Sequence, residues 1–255
     1  MLLRDRTVLI SGVGAGLGHR VAAACVREGG CAVLGARTRA GPERCAAAID
    51  PDGTRTAHRT ADITDEAQCR ALAALAVERF GRLDAVVHVA ALDTVMGGLE
   101  DSSEDLGEWQ RAVDVNLLGT LRMTRACLPA LKESGGGSVV MIGTQASVAA
   151  SSQVPMAAYA ASKGALVSAM YPLARELGPY GIRVNTVQPG WMWGPPVRAY
   201  VEDDAELLAR LNARMALPGM VTDEDVAETV VFFASDRSRG ITGQSLLVNA
   251  GEVMR

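Results

Sequence analysis

Tyr159-Ala-Ala-Ser-Lys163 opens a helical pattern. Residues at i and i+4 share one helix face, so the Lys163 ammonium lies beside the Tyr159 phenol. A free phenol titrates near about 10, too high for an efficient proton carrier at neutral pH. A neighbouring ammonium favours the phenolate and lowers that value. The pair suits the delivery of a proton to a developing alkoxide, or its removal from an alcohol. The spacing alone also describes one packed Tyr and one surface Lys, so the rest of the chain must decide.

Ser11-Gly12-Val13-Gly14-Ala15-Gly16-Leu17-Gly18 follows the apolar run Thr7–Ile10 and leads into a helical stretch. Glycines let a backbone turn tightly and come close to a pyrophosphate. The helix beyond offers free N–H groups and a partial positive charge to the anion. Strand before and helix after is the context that gives such a segment meaning. The second strand ends in Ala36-Arg37-Thr38-Arg39, with no acid to bind an adenosine ribose 2′-hydroxyl. Arg suits planar contact with a 2′-phosphate, so NADP(H) is favoured. NAD(H) stays open, with Arg37 and Arg39 as solvated charges.

Short apolar runs alternate with helical patterns through most of the chain. Strands are predicted at Thr7–Ile10, Cys31–Ala36, Thr54–Thr60, Ala85–Ala90, Ser138–Ile142, Arg183–Val187 and Ser245–Val248. Helices are predicted at Leu17–Glu28, Pro42–Ile49, Asp65–Phe80, Ser103–Glu133, Ala158–Leu177 and Asp223–Ala234. This alternation implies an α/β fold, a doubly wound parallel sheet with helices on both faces. The strands are apolar throughout, as strands buried on both sides should be. No linker or repeat divides residues 1–255, so one domain is expected. The stretch 191–217 breaks the alternation and is expected to form a small helical flap.

Hydrophobic residues make up 49% of the 255-residue chain and charged residues 21%, with a net charge of -4. Such a composition is globular and carries no general attraction to nucleic acid or anionic membranes. No window is long and apolar enough for a spanning helix or a secretory signal, and a cytoplasmic protein is expected. Cys25, Cys31, Cys45, Cys69 and Cys127 are scattered, and His19, His58 and His88 are isolated. Free thiols and no metal site are the expectation.

Taken together, these segments resemble the short-chain dehydrogenase/reductase superfamily over nearly the whole chain. Ser11–Gly18 is similar to its T-G-x-x-x-G-x-G, with Ser for Thr. Asp62-Ile63 resembles the pair that lies against the adenine. Asn116 in Val115-Asn-Leu-Leu-Gly119 matches a catalytic Asn, and Tyr159 and Lys163 match Y-x-x-x-K. Arg183-Val-Asn-Thr-Val-Gln-Pro189-Gly190 matches the strand end beside the nicotinamide. Ile241-Thr-Gly243 and Val248-Asn-Ala-Gly251 match the C-terminal segment. The resemblance implies a Rossmann-like sheet of about seven parallel strands. It implies hydride transfer between nicotinamide C4 and a ketone or secondary alcohol. Tyr159 would be the acid/base, Lys163 would lower its pKa and hold the nicotinamide ribose, and Asn116 would anchor a proton-relay water. A homotetramer is implied, a dimer being the alternative, built on the long helices Ser103–Glu133 and Ala158–Leu177.

Three departures from the family pattern stand out. The Ser that holds the substrate oxygen has no direct match in Met141-Ile-Gly-Thr144-Gln-Ala-Ser147. Strand register favours Thr144, whose hydroxyl can serve, and Ser147 is the competing candidate. The family's N-N-A-G reads His88-Val-Ala90-Ala91, where His88 either hydrogen-bonds in place of Asn or fills its space. After Pro189-Gly190 comes Trp191-Met192-Trp193-Gly194, in which Met192 matches the position whose backbone meets the carboxamide. Gly194 replaces a Thr that commonly contacts the cofactor. Trp191, Trp193 and Tyr200 either wall a sizeable apolar substrate or pack against the fold or a neighbouring subunit. Met96, in Leu92–Glu100, is expected on the opposite wall. The leading expectation is a ketoreductase on a fairly apolar small molecule. The alternative is a non-redox or regulatory cofactor-binding member of the same fold.

Overall fold

The computed structural model describes residues 1–95, 97–150 and 154–254. Seven parallel strands form the main sheet in the order β3-β2-β1-β4-β5-β6-β9. These are β1 (Thr7–Ser11), β2 (Cys31–Ala36), β3 (Thr56–Thr60), β4 (Ala85–His88), β5 (Gly137–Ile142), β6 (Ile182–Pro189) and β9 (Ser245–Val248). Parallel neighbours need crossovers, and helices supply them. The helices are α1 (Leu17–Arg27), α2 (Ala40–Ile49), α3 (Glu66–Phe80), α4 (Gly107–Val113), α5 (Thr120–Glu133), α6 (Ala157–Leu177) and α9 (Asp223–Ala234).

Alternate strand residues enter opposite cores, because a strand's side chains alternate between faces. Val8, Ile10, Ala85 and Val87 pack with Val21 of α1 and Val230 of α9. Leu9, Val33 and Val86 pack with Leu72 of α3, Met123 of α5 and Leu166 of α6. The chain leaves β1 toward β2 on one side, while β4 lies on the other. That reversal opens a crevice at the carboxyl ends of β1 and β4, where ligands of such sheets bind.

Local chemistry sets the element ends. Asp65 caps α3 by accepting from the N–H groups of Ala67 and Gln68, and Thr222 and Asp225 form a capping box on α9. The third strand starts at Thr56 instead of Thr54, because the Asp50 carboxylate accepts from the backbones of Thr54, Arg55 and Thr56 and holds a turn there. The single helix expected over Ser103–Glu133 is broken up. It starts at Gly107, after a turn in which Asp105 accepts from Gly107 N and Leu106 sits at φ 52°. It then widens into a π turn at Asp114–Gly119 before α5. The flap residues carry α7 (Pro195–Val201) and α8 (Ala205–Asn212). An unforeseen pair of short parallel strands, β7 (Met192–Trp193) and β8 (Val221–Thr222), closes the flap at its base.

Candidate active site

The glycine loop joins β1 to α1 with its backbone pressed onto the neighbouring strand's exit. Gly12 has φ +100°, and a Cβ there would run into the backbone of Ala90. Gly18 lies so close to Gly12 O that it too excludes a side chain. Val89 N and Ala90 N both donate to Ser11 O, which ends β4 at His88 and folds that chain over the loop. A cleft results, lined by the glycine loop on one side and by Ala91, Tyr159, Lys163, Pro189 and Met192 on the other. A second cavity of about 440 Å³ adjoins it, walled by Trp191, Met192, Val197, Tyr200, Val154 and Met156. Thr144, Tyr159 and Asp93 line both spaces.

Burial dominates the electrostatics at this junction. It raises the Tyr159 phenol above its ordinary value, and the Asp93 carboxylate raises it further. The sequence expectation was the reverse, a phenol lowered by its lysine neighbour; in the protein alone, burial and Asp93 set the direction. Lys163 is wholly buried and brought down to about 8 by the same desolvation, with Asp93 acting against the fall. Its Nζ donates to Ile142 O at 2.7 Å, which ties the lysine to the end of β5.

Asn116 sits in the π turn, fully buried. Its Oδ1 accepts from Leu92 N at 2.6 Å, and its Nδ2 donates to Leu92 O at 3.1 Å and to Ser162 Oγ at 2.9 Å. Ser162 Oγ in turn donates to Tyr159 O. Both amide hydrogens are therefore engaged, and the side chain braces the Leu92 loop and the first turn of α6. On the wall of the second cavity, Glu252 pairs with Arg214 at 2.7 Å and accepts from Gln145 Nε2 at 2.7 Å. Gln145 Oε1 accepts from Asn249 Nδ2. An apolar cavity with a braced polar group on its wall can orient a ligand.

With this geometry in view, the known proteins most like the chain are informative. The family described as enoyl-(acyl carrier protein) reductase matches residues 12–252. The chain is 32% identical over 253 residues to 2-(S)-hydroxypropyl-CoM dehydrogenase 3 of Xanthobacter autotrophicus, covering 98% of this chain and 97% of that one. It is 33% identical over 256 residues to L-rhamnose 1-dehydrogenase (NAD(P)(+)) of Azotobacter vinelandii, covering 98% of each. The solved structure of a short-chain type dehydrogenase/reductase from Mycobacterium ulcerans superposes with TM-score 0.91 at 29% identity, over 99% of this chain and 91% of that one. The chain belongs to the short-chain dehydrogenase/reductase family. It is an oxidoreductase of that family.

Against this family pattern, the cleft gathers Gly12, Gly14, Gly16, Leu17, Gly18, Ala91, Thr144, Tyr159, Lys163, Pro189, Gly190 and Met192. Several expected residues stand elsewhere. Ser11 is buried behind the loop, its hydroxyl without a partner among the described residues. Ile63 is 5% exposed and packs against the π turn at Gly119, not toward the cleft. The Asp62 carboxylate accepts from Thr64 N and Oγ1, shaping the entry to α3. Arg37 and Thr38 are exposed at the end of β2. Arg39 is paired with Glu43.

In the candidate substrate region, Ser147 lies outside both spaces, its hydroxyl donating to Thr144 O at 2.8 Å with Gln188 Oε1 3.1 Å away. Trp191 stacks on Tyr200 at 5.9 Å along the second cavity. Both Trp191 and Trp193 pack against the flap's own core of Val201, Leu207 and Leu211, and Trp193 does not line the cavity. Met96 lies outside the described residues. Sequence reasoning missed Asp93, Gln145, Arg214, Glu252 and Asp223. Asp93 and Gln145 lie inside segments already singled out, Leu92–Glu100 and Met141–Ser147, and Glu252 directly follows Gly251, so each was within reach. Arg214 and Asp223 join the site only through the return of the flap.

Proposed function

We propose that this chain reduces a ketone to a secondary alcohol with NADPH, the substrate being a fairly apolar small molecule. The observation that carries this reading is that Thr144 and Tyr159 line both the glycine-loop cleft and the adjoining apolar cavity. A carbonyl in the second cavity would meet both hydroxyls at the junction. The nicotinamide cofactor, when bound, supplies the hydride. Gly12, Gly14, Gly16, Leu17 and Gly18 would hold its pyrophosphate, with Ser11, Ala90 and Ala91 supporting the loop. Asp62 and Ile63 would flank the adenine through their backbone, and Pro189, Gly190 and Met192 would meet the nicotinamide. Arg37 and Thr38 would receive the 2′-phosphate, and among the described residues no carboxylate pairs with Arg37, which leaves its guanidinium available.

Thr144 holds the carbonyl oxygen, and Tyr159 gives it the proton. A buried phenol held above its ordinary value starts in the protonated form that reduction needs. Lys163 supplies the positive charge that offsets the phenolate left behind. Asn116 positions Tyr159 through Ser162. The reading also makes the protein a cytoplasmic homo-oligomer, a tetramer foremost. Exposed Val113, Leu118 and Tyr171, on the α4–α5 and α6 helices, support that part.

The test is a fluorescence titration with NADPH and NADH, followed by a ketone screen read at the nicotinamide absorbance. NADPH is expected to bind more tightly, and Arg37→Ala to remove that preference. Tyr159→Phe is expected to abolish turnover while binding the dinucleotide nearly as before. Equal affinity for both dinucleotides would overturn the NADPH preference, and full activity in Tyr159→Phe would overturn the proton-donor role.

A further inference from the structure

Asp223 is the first residue of α9 and lines the glycine-loop cleft. It is 4% exposed, and its Oδ1 is buried with no hydrogen-bond partner among the described residues. A buried carboxyl oxygen without a partner is uncommon and costly, and calls for a reason. Two glycines face it. A Cβ at Gly194 would run into Asp223 Oδ1, so the carboxyl fills the volume that a side chain at 194 would take. A Cβ at Gly16 would lie 3.8 Å from Asp223 Oδ2. The carboxyl therefore looks from the Gly194 turn toward the opening of α1.

The charges around Asp223 are engaged elsewhere. Arg20 of α1 pairs with Glu224 of α9 at 3.0 Å. Arg198 of α7 lies over the Trp193 ring at 5.5 Å and donates to Trp193 O. Lys163, Tyr159 and Asp93 stand further along the same cleft. Burial first, then Glu224, holds the Asp223 carboxyl above the usual carboxylate range, while Arg20 and Arg198 act the other way.

A diphosphate set beside an ionised carboxylate meets like charge. The same carboxyl in its neutral form offers an O–H to phosphate oxygens, which only accept. We propose that Asp223 is a further dinucleotide-contact residue that meets the pyrophosphate as the neutral acid, taking a proton from solvent on binding and returning it on release. This rests on the dinucleotide reading of the cleft given above. The sign of the pH dependence follows. Binding raises the carboxyl's pKa, so affinity is full below the free-protein value. It falls as pH rises toward the value in the complex, by up to about tenfold per pH unit.

The experiment measures NADH and NADPH affinity from about pH 5 to pH 8, with calorimetry in buffers of different ionisation heat to count protons. The difference between the native protein and Asp223→Asn cancels any titration of the cofactor's own 2′-phosphate. The native protein is expected to take up a proton and to lose affinity as pH rises. Asp223→Asn keeps a donor that cannot ionise, and is expected to bind with a flatter profile and more tightly than native at the upper end. Absence of proton uptake, read on the native protein without any variant, would overturn the proposal, as would superimposable pH profiles. ADP-ribose, which lacks the carboxamide, supplies a further arm. Asp223→Asn weakening NADH but not ADP-ribose would overturn the proposal and make Asp223 an acceptor for the carboxamide. Failure of both dinucleotides to bind the native protein would remove the cofactor reading itself, and this inference with it.

Discussion

Two hydroxyls compete for the substrate oxygen, and their hydrogen bonds separate them. Ser147 Oγ donates to Thr144 O and lies within reach of Gln188, so it is turned into the fold. Thr144 faces both spaces beside Tyr159. Thr144→Ala is expected to lower kcat/KM by about 100-fold or more, the scale of one lost donor to a developing oxyanion. Ser147→Ala is expected to change it only a few-fold, and steady-state kinetics on both variants will decide. A reversed order would place the oxygen one helical turn away, against the assignment. The fold gathers Tyr159, Lys163 and the glycines in one cleft, and they were legible in the sequence because they belong to short segments with their own spacing. Sequence reading failed where orientation mattered. Trp193 and Ile63 turn inward because a packed core lies behind them, and no local spacing announces that. The direction of the Tyr159 shift was also out of reach, since burial is a property of the whole fold.

The elements were legible where periodicity was strong. Strand alternation exposed the sheet, and the helices α1, α3, α6 and α9 fell within a few residues of their predicted spans. The long central helix was misread because its apolar pattern runs unbroken across a turn and a π widening. The π turn is what lets Asn116 reach both Leu92 and Ser162, and such bulges recur at functional sites. The start of the same helix stores strain. Leu106 holds φ 52° and ψ 32° and is 42% exposed, a conformation in which an L side chain crowds its own backbone. Leu106→Gly relieves that crowding and gives up little burial. It is expected to stabilise the protein by about 0.5–1 kcal/mol after the glycine's extra freedom in the unfolded chain is counted. Urea denaturation reads this directly, and a lower midpoint would show that Leu106 packs more than it strains.

At the scale of the whole molecule, one group in the middle of the sheet is set to cost stability in acid. His88 ends β4, is 2% exposed, and is pushed down to about 3 by burial first and by Lys163 second. Thr124 Oγ1 donates to Thr120 O, so the His88 ring donates to Thr124 through Nε2 at 2.9 Å. Its Nδ1 is left without a partner among the described residues. The ring is neutral in the folded protein and takes a proton below about 6.5 once the chain unfolds. Stability from this group is therefore full above about pH 6.5 and declines as pH falls toward 3, by up to about 1.4 kcal/mol per pH unit. Between pH 6.5 and 5, His88→Asn is expected to lose less stability than the native chain, by up to about 2 kcal/mol. Urea titrations at several pH values will show it, and parallel curves would mean that His88 does not govern the acid limb. One feature of the flap reaches further than this site. β7 and β8 bring the chain back beside itself, Met192 against Val221 and Trp193 against Thr222, and adjacent strands stand only about 4.8 Å apart. Everything between them, with its small core of Val201, Leu207 and Leu211, is a cassette with both ends at one clasp. Met192 and Asp223 belong to the clasp or adjoin it, on the side that stays. A segment hung from one clasp can be lengthened, shortened or replaced without moving the two chain ends that hold it.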